Sequence, residues 1–365
     1  MKTKGVAVRD GHDNFFTPLR LVFALMVMVG HAFVITRGGV DHEPQMLFHY
    51  TPSYLAVNLF FIASGFLVTG SMFFRNDGPA FAAARLLRIY PALIVHVAFI
   101  LFLLGPVATS WPVGDYLLDP GLWLQPFKVL SFANTDLILP GVFEGNGEPY
   151  ASHPLWTLRF EMICYVATGA AFALGLMRRR WMVLAQFALP AMVWMAGQSF
   201  GLFDGLPATA ESLTRFGMAY GLGATLFAYR DRLRYRWAAL PVLFVLAWGL
   251  RDTALVEVAV NLFLATAVML LAYMRLPRLA ALQRWPDLSY GAYIYHWGVM
   301  QLLIQWWPGL DVAALFVLAL PVVLALSWLS WTMVEKPMLA QKGDLGRWLR
   351  FGRGVPRTRS ALMLN

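Results

Sequence analysis

The sequence predicts an all-α, polytopic integral membrane protein with about ten transmembrane helices. Three observations carry this. Of the 365 residues, 59% are hydrophobic and only 13% are charged, where a soluble domain carries about 25% charged residues. Apolar runs near the length of a membrane helix, about 20 residues, recur along the chain. The basic residues alternate from segment to segment in the pattern that orients membrane helices.

The first run, residues 18–36, opens PLRLVFALMVMVGHAF. The basic segment before it lacks the short apolar core and small-residue cleavage site of a signal peptide, so the run reads as a retained helix. Further spans are expected at 54–73, 90–108, 154–177, 181–198, 212–229, 236–250, 254–274, 288–307 and 312–334. The run at 236–250 is the shortest. Between the third and fourth spans, GDYLLDPGLWLQPFKVLSFANTD is broken by charge, Pro and Gly, and reads as a loop with at most a helix lying in the interface.

With the N-terminus inside, 23 of the 29 Lys and Arg fall on segments of that side. Arg37, Lys128 and Arg251 fall on the other side, and Arg20, Arg159 and Arg215 lie inside spans. Both termini are then cytoplasmic and the 109–151 loop is outside. The domain expectation is a cytoplasmic N-terminus at 1–17, a single membrane domain at 18–334 and a basic cytoplasmic tail at 335–365. The net charge of +9 reflects this orientation, so membrane lipid is the expected partner and nucleic acid is not. Cys164 is the single cysteine. It reads as a small buried hydrophobe.

An ionisable group at membrane depth costs several kcal/mol and usually faces protein or water. Arg20 and His31 are eleven residues apart on the first span, roughly 16 Å along its axis. Glu161 lies seven residues into the fourth span and reaches a depth similar to His31 from the same side. An imidazole paired with a carboxylate is a usual general base; the same pair serves a transporter as a proton relay. Arg159 lies between them, placed either to neutralise Glu161 or to touch an anionic substrate. His153 reads as a loop histidine. Arg85 and Arg88 share a helix face and suit phosphate binding. They suit the inside-rule equally, as Arg20 suits snorkelling. Asn58, Ser64, Gly65 and Gly70 read first as close helix packing, with Asn58 also placed to line a cavity. Tyr293 and His296 share a face of the ninth span. Glu335 and Lys336 mark a helix end, and His96 and Glu257 have no chemical reading. No metal site is expected.

In order along the chain, these segments resemble the membrane acyltransferase-3 family, which includes bacterial O-acetyltransferases of surface and exported polysaccharides. The resemblance rests on Arg20 and His31 in LRLVFALMVMVGH, FFIASGFL at 60–67, RLLRIYP at 85–91, WTLRFE at 156–161, SYGAYIYHW at 289–297 and the closing EKP. It covers nearly the whole chain. Thr157 stands where the family usually has Ser. Arg159 stands where small or apolar residues are common, which points the pocket toward an acidic glycan. Some members carry an extra extracytoplasmic hydrolase-like domain; this chain has no room for one and is expected to act alone or with a separate partner.

The resemblance implies an O-acyltransferase of the bacterial inner membrane. Acetyl-CoA enters as the donor substrate, with no permanently bound cofactor. Arg20, Arg85 and Arg88 are implied to hold its phosphates while its arm points toward His31. His31 is implied to take the proton of a sugar hydroxyl, with Glu161 orienting the imidazole; direct transfer and a covalent acyl-histidine both remain open. Asn58, Trp156, Arg159, Tyr293 and His296 are the candidates for acceptor or oxyanion contacts. The implied acceptor is an extracytoplasmic or lipid-linked glycan, first an exopolysaccharide, then O-antigen or periplasmic glucan. Succinyl is the alternative acyl group, and polysaccharide-assembly proteins are the expected partners. A proton-coupled transporter or flippase for a glycan or small anion is the alternative of another class. It leaves the arginine pair and the motifs unexplained.

Overall fold

The computed structural model describes residues 14–351. Among them there is no β-strand, only isolated antiparallel bridges such as Thr109 with Val142 and Leu137 with Ser152. The helices in order are α1 (Phe16–Arg37), α2 (Pro52–Arg75), α3 (Gly78–Phe99), α4 (Gly105–Ala108), α5 (Val113–Leu118), α6 (Pro120–Leu130), α7 (Leu158–Ala173) and α8 (Arg180–Phe200). Then come α9 (Ala208–Ala228), α10 (Ala239–Gly249), α11 (Val256–Ala272), α12 (Ser289–Trp306), α13 (Val312–Ser330), α14 (Lys336–Ala340) and α15 (Lys342–Phe351).

Each segment predicted as a span is helical, but the expected ten spans are corrected to five or six. Among the described residues five helices are long and apolar enough to cross a membrane: Phe16–Arg37, Pro52–Arg75, Gly78–Ala108, Arg180–Phe200 and Val312–Ala340. A sixth follows only if α11 and the turn Pro277–Arg284, bent by 101°, count as one. The shortfall has two physical causes. Helices α7, α10 and α11 have 16, 11 and 17 residues, short of the about 20 that a bilayer core requires. Helices α9 and α12 are long enough but carry too many polar and ionisable side chains. Both are largely buried among other helices, and a helix shielded from lipid has no need of an apolar surface.

Helix α2 is the centre of the bundle. Of its most apolar stretch 78% is buried, against 22% for Val312–Ala340 on the rim. It packs along α9, which packs along α8, while α12 lies between α1 and α13. Gly65 and Gly223 let α2 and α9 touch backbone to backbone: a Cβ on Gly65 would overlap the Tyr220 carbonyl, and one on Gly223 the Ile62 carbonyl. Gly70 likewise faces the Phe227 ring. The small residues of α2 therefore serve close packing, as their spacing suggests.

Local chemistry sets the helix ends. Thr51 caps α2 by accepting from the Tyr54 N–H, with Pro52 at the first position. Asp77 caps α3 through the Ala80 N–H; a side-chain acceptor there satisfies a backbone donor that the helix leaves free. Helix α1 stops at Gly38, whose φ of +70° suits glycine. Because α3 starts at Gly78, twelve residues before the predicted span, Arg85 and Arg88 sit inside the helix.

The 109–151 segment holds the short α5 and α6 with exposed Trp123, Leu124 and Phe127, the surface of an interface-lying element. The end of this segment is tied down on α12. Trp297 Nε1 donates to the Tyr150 carbonyl at 2.7 Å, and Gln301 Nε2 to the Glu148 carbonyl at 2.5 Å. Helix α13 runs on through a π-helical turn, Trp331–Glu335, into α14, so the last helix passes the expected boundary at 334. Helix α15 returns against α3, with Gly346 over Ala80. Residues 1–13 and 352–365, most of the expected cytoplasmic N-terminus and part of the basic tail, lie outside the described residues.

Candidate active site

Two cavities lie toward opposite ends of α1. One is lined among others by Arg20, Ser64, Arg85, Arg88, Glu161 and Tyr165. The other, the roomier, is lined by His31, Glu43, His153, Trp156, Arg159 and Arg215 with their neighbours. They share Val57, Thr157 and Tyr293. The shared wall is hydrogen-bonded: Tyr293 donates to the Pro154 carbonyl at 3.0 Å, and its hydroxyl lies 2.6 Å from Thr157 Oγ1.

In the arginine cavity the three sequence-predicted arginines differ sharply. Arg20 donates to Asp287 Oδ2 at 2.8 Å. Arg88 donates to the same oxygen at 2.7 Å and to Glu335 Oε2 at 3.2 Å. Asp287 Oδ1 accepts from the Ser289 hydroxyl at 2.5 Å. Burial works to raise the Asp287 carboxyl, but Arg20, Arg88 and the Ser289 bonds hold it down to about 2. Asp287 thus pins α1 and α3 to the start of α12. Arg85 has no ion pair among the described residues; its guanidinium lies 5.4 Å from the Tyr165 ring centroid. Two arginines expected to wait for phosphate therefore already have carboxylate partners, and one does not. Sequence reasoning missed Asp287, although it is the one carboxylate in the basic stretch MRLPRLAALQRWPDL. It read Glu335 as a helix end.

The expected pairing of His31 with Glu161 is not formed. They line different cavities. Glu161 Oε1 accepts from Tyr165 and, at 3.3 Å, from Ser64. His31 Nδ1 lies 2.8 Å from His296 Nε2, with the rings stacked. Residue counting along two separate spans does not say which cavity a group faces, and the structure puts Glu161 with the arginines and His31 in the other cavity.

The His31–His296 contact fixes protons. His296 Nδ1 lies 3.0 Å from the Ala292 carbonyl, which only accepts, so this nitrogen carries hydrogen. Neutral His296 then presents Nε2 as an acceptor, and His31 Nδ1–H must donate to it. In neutral His31 the remaining Nε2 is a bare lone pair. It has no hydrogen-bond partner among the described residues. The ring is braced edge-on by Trp297 at 5.0 Å between centroids, and His153 lies 6.5 Å away. Burial pulls the His153 imidazole below its ordinary value, against the opposing charge of Asp136.

Of the other candidates, Trp156, Arg159 and Tyr293 line the histidine cavity. Asn58 does not. It is fully buried and donates to Glu257 Oε1 at 2.8 Å, which withdraws it as an oxyanion donor. Glu257 also accepts from Tyr54 and Asn261. Among the described residues no cluster of His, Cys, Asp and Glu is placed to hold a metal ion.

A family model described as an acyltransferase domain matches residues 14–332. The chain belongs to the acyltransferase-3 family. It is similar to "Nodulation protein 10" of Rhizobium leguminosarum bv. viciae, 28% identical over 92% of this chain and 96% of the relative. It is also similar to an "O-acetyl transferase" of Shigella phage Sf6, 25% identical over 90% and 97% respectively. No solved structure matches. Family membership and the apolar helices make this a multi-pass membrane acyltransferase. The match ends near the π-helical turn that carries Glu335, so within it the acyltransferase-3 family contributes both cavities and all but one member of the Asp287 network.

Proposed function

We propose that this acyltransferase moves an acetyl group from cytoplasmic acetyl-CoA to a hydroxyl of an extracytoplasmic glycan, an exopolysaccharide or its lipid-linked repeat unit. The supporting observation is the pair of cavities that meet at Val57, Thr157 and Tyr293, with guanidinium groups in one and a bare imidazole nitrogen in the other. The basic residues that cluster at this end of the bundle make the arginine cavity the cytoplasmic one in this reading. Residues 18–334 act as one membrane domain.

In this reading Arg85, free of carboxylates, takes donor phosphate directly, while Arg20 and Arg88 supply a positive rim held in place by Asp287 and Glu335. The acceptor hydroxyl enters the histidine cavity. Its oxygen attacks the thioester carbonyl carbon as its proton passes to His31 Nε2. A C–O bond forms and the C–S bond breaks. The departing thiolate takes the proton from the imidazolium and leaves as CoA. His296 stays neutral throughout, holds the His31 Nδ1–H, and so keeps Nε2 the basic nitrogen. Glu161, in the donor cavity, orders Tyr165 and Ser64.

Purified protein in detergent, with no gradient across a membrane, tests this. H31A is expected to lose roughly 100-fold or more in acetyl transfer while acetyl-CoA binding, read by calorimetry, stays. H31A that transfers normally sinks the base assignment. A wild type that binds no acetyl-CoA sinks the donor, and with it the reading.

A further inference from the structure

Two guanidinium groups in the histidine cavity lack an acid. Arg159 and Arg215 both line it beside His31, and neither forms an ion pair among the described residues. The nearby carboxylates are engaged elsewhere. Glu43 accepts from the Ser53 N–H at 2.7 Å and from the Ser53 hydroxyl at 2.5 Å. Asp136 faces His153 at 3.8 Å. Glu257 is closed off by Tyr54, Asn58 and Asn261.

Both arginines are nevertheless held in place. The Arg215 guanidinium lies 3.8 Å from the Tyr54 ring centroid and 4.3 Å from that of Phe216. Arg159 donates to Thr135 Oγ1 at 3.4 Å. The Nε of each is buried with no hydrogen-bond partner. Both side chains are half-buried, and a guanidinium that gives up part of its hydration with no counter-charge beside it is left at a disadvantage. Two such groups fixed beside a general base make sense when the missing charge arrives with the substrate. A planar fork also matches a carboxylate or phosphate by paired hydrogen bonds.

We propose that Arg159 and Arg215 form an anion subsite for the acceptor, binding a carboxylate or phosphate group of the glycan and so placing its hydroxyl at His31 Nε2. The proposal rests on the reading that the acceptor occupies the histidine cavity. It narrows the acceptor to anionic glycans: sugars that carry a carboxylate, or sugars joined to phosphate.

Saturation-transfer NMR on the full chain in detergent tests it, with methyl β-D-glucuronide, glucose 1-phosphate and methyl β-D-glucoside as probes. The expected result is binding of at least one anionic probe and none of the neutral glucoside. R159Q and R215Q should each weaken that binding about tenfold or more, the loss of ~1.4 kcal/mol or more. R215K, which keeps a cation over Tyr54, should fall between. The stronger of the glucuronide and the phosphate names the source of the charge. Acetyl-CoA binding on the same samples shows that each variant is folded. Anionic and neutral probes that bind alike, or are alike silent, overturn the subsite, as does unchanged anion binding in R159Q and R215Q. If wild type then still binds acetyl-CoA, the donor reading survives; if it binds neither, both fall.

Discussion

Replacing His296 by Leu removes the acceptor that holds the His31 Nδ1–H at 2.8 Å. The imidazole can respond in two ways. It can keep Nδ1–H as an unpaired donor in a half-buried site, or move the proton to Nε2 and lose the lone pair that faces the cavity. A buried donor without a partner costs about 1–3 kcal/mol. The reactive tautomer and orientation become less populated by a comparable energy, and at ~1.4 kcal/mol per tenfold the rate falls about 5- to 150-fold. Glutamine behaves differently. Its Oε1 reaches about as far as the ring Nε2 and accepts the same hydrogen, so H296Q should stay within about threefold of wild type, since that bond survives. The assay is single-turnover acetyl transfer in detergent at saturating donor, with calorimetric acetyl-CoA binding and a melting curve on each sample. Donor binding should be unchanged in both variants, because His296 bonds His31 and not the arginines. Full activity in H296L, or an H296Q defect as deep as that of H296L, refutes the tautomer argument.

Arg85 and Arg88 should separate. R85A should weaken acetyl-CoA binding with little change in melting temperature. R88A should also destabilise the fold by about 3–5 kcal/mol, because it strands the buried Glu335 and leaves Asp287 with Arg20 alone; equal melting curves for the two would contradict the ion-pair network. G223V should force α2 and α9 apart, with a loss of about 1–3 kcal/mol or more from overpacking, read as a lower melting temperature in detergent; a wild-type melt would show that the crossing is not tight. Asp287 is held at about 2 against an ordinary 3.8. Its pairs therefore stabilise the fold fully above about pH 4, and that contribution, on the order of 2 kcal/mol, is lost as the pH falls toward 2. Melts across pH 2–7 should show this acid limb in wild type and a flatter one in D287N; parallel curves would remove Asp287 as its source.

Helix positions and close-packing glycines were legible because both follow from neighbours along the chain. The apolar runs marked every long helix, and Gly65 and Gly70 announced tight contacts. Span number was not legible. Hydropathy reports the surface that lipid meets, and α9 and α12 meet mainly other helices. Most ionisable residues of the site, among them His31, His296, Arg20, Arg85, Arg88 and Glu161, were singled out as unusual, but Asp287 was not, and the pairings were not foreseen. His31 and His296 are 265 residues apart, Arg88 and Glu335 247 apart. Helical periodicity assigns each to a face of its own helix and says nothing of which face lies opposite. Depth alone therefore matched His31 with Glu161, when the wall of Thr157 and Tyr293 stands between their cavities. Asn58 shows the same limit: an amide among apolar residues looks available until Glu257, a residue with no local signal, is found against it.

That wall has an electrical consequence. Two polar cavities that reach inward from opposite ends of α1 leave only a few side chains of insulating thickness between them. On the proposed orientation, with the cavities open to opposite sides, a membrane voltage falls across whatever is least conductive, and the field would concentrate at Val57, Thr157 and Tyr293 instead of spreading over the full bilayer. The Tyr293 hydroxyl, bonded to Thr157 and to the Pro154 carbonyl, plugs the place where a thread of water would short-circuit it. An acetyl group is neutral and crosses such a field without electrical work, whereas the phosphates of its carrier would not. Shrinking the Tyr293 side chain would thus open a leak for ions, and the cell would feel it as lost membrane potential whether or not any sugar had been acetylated.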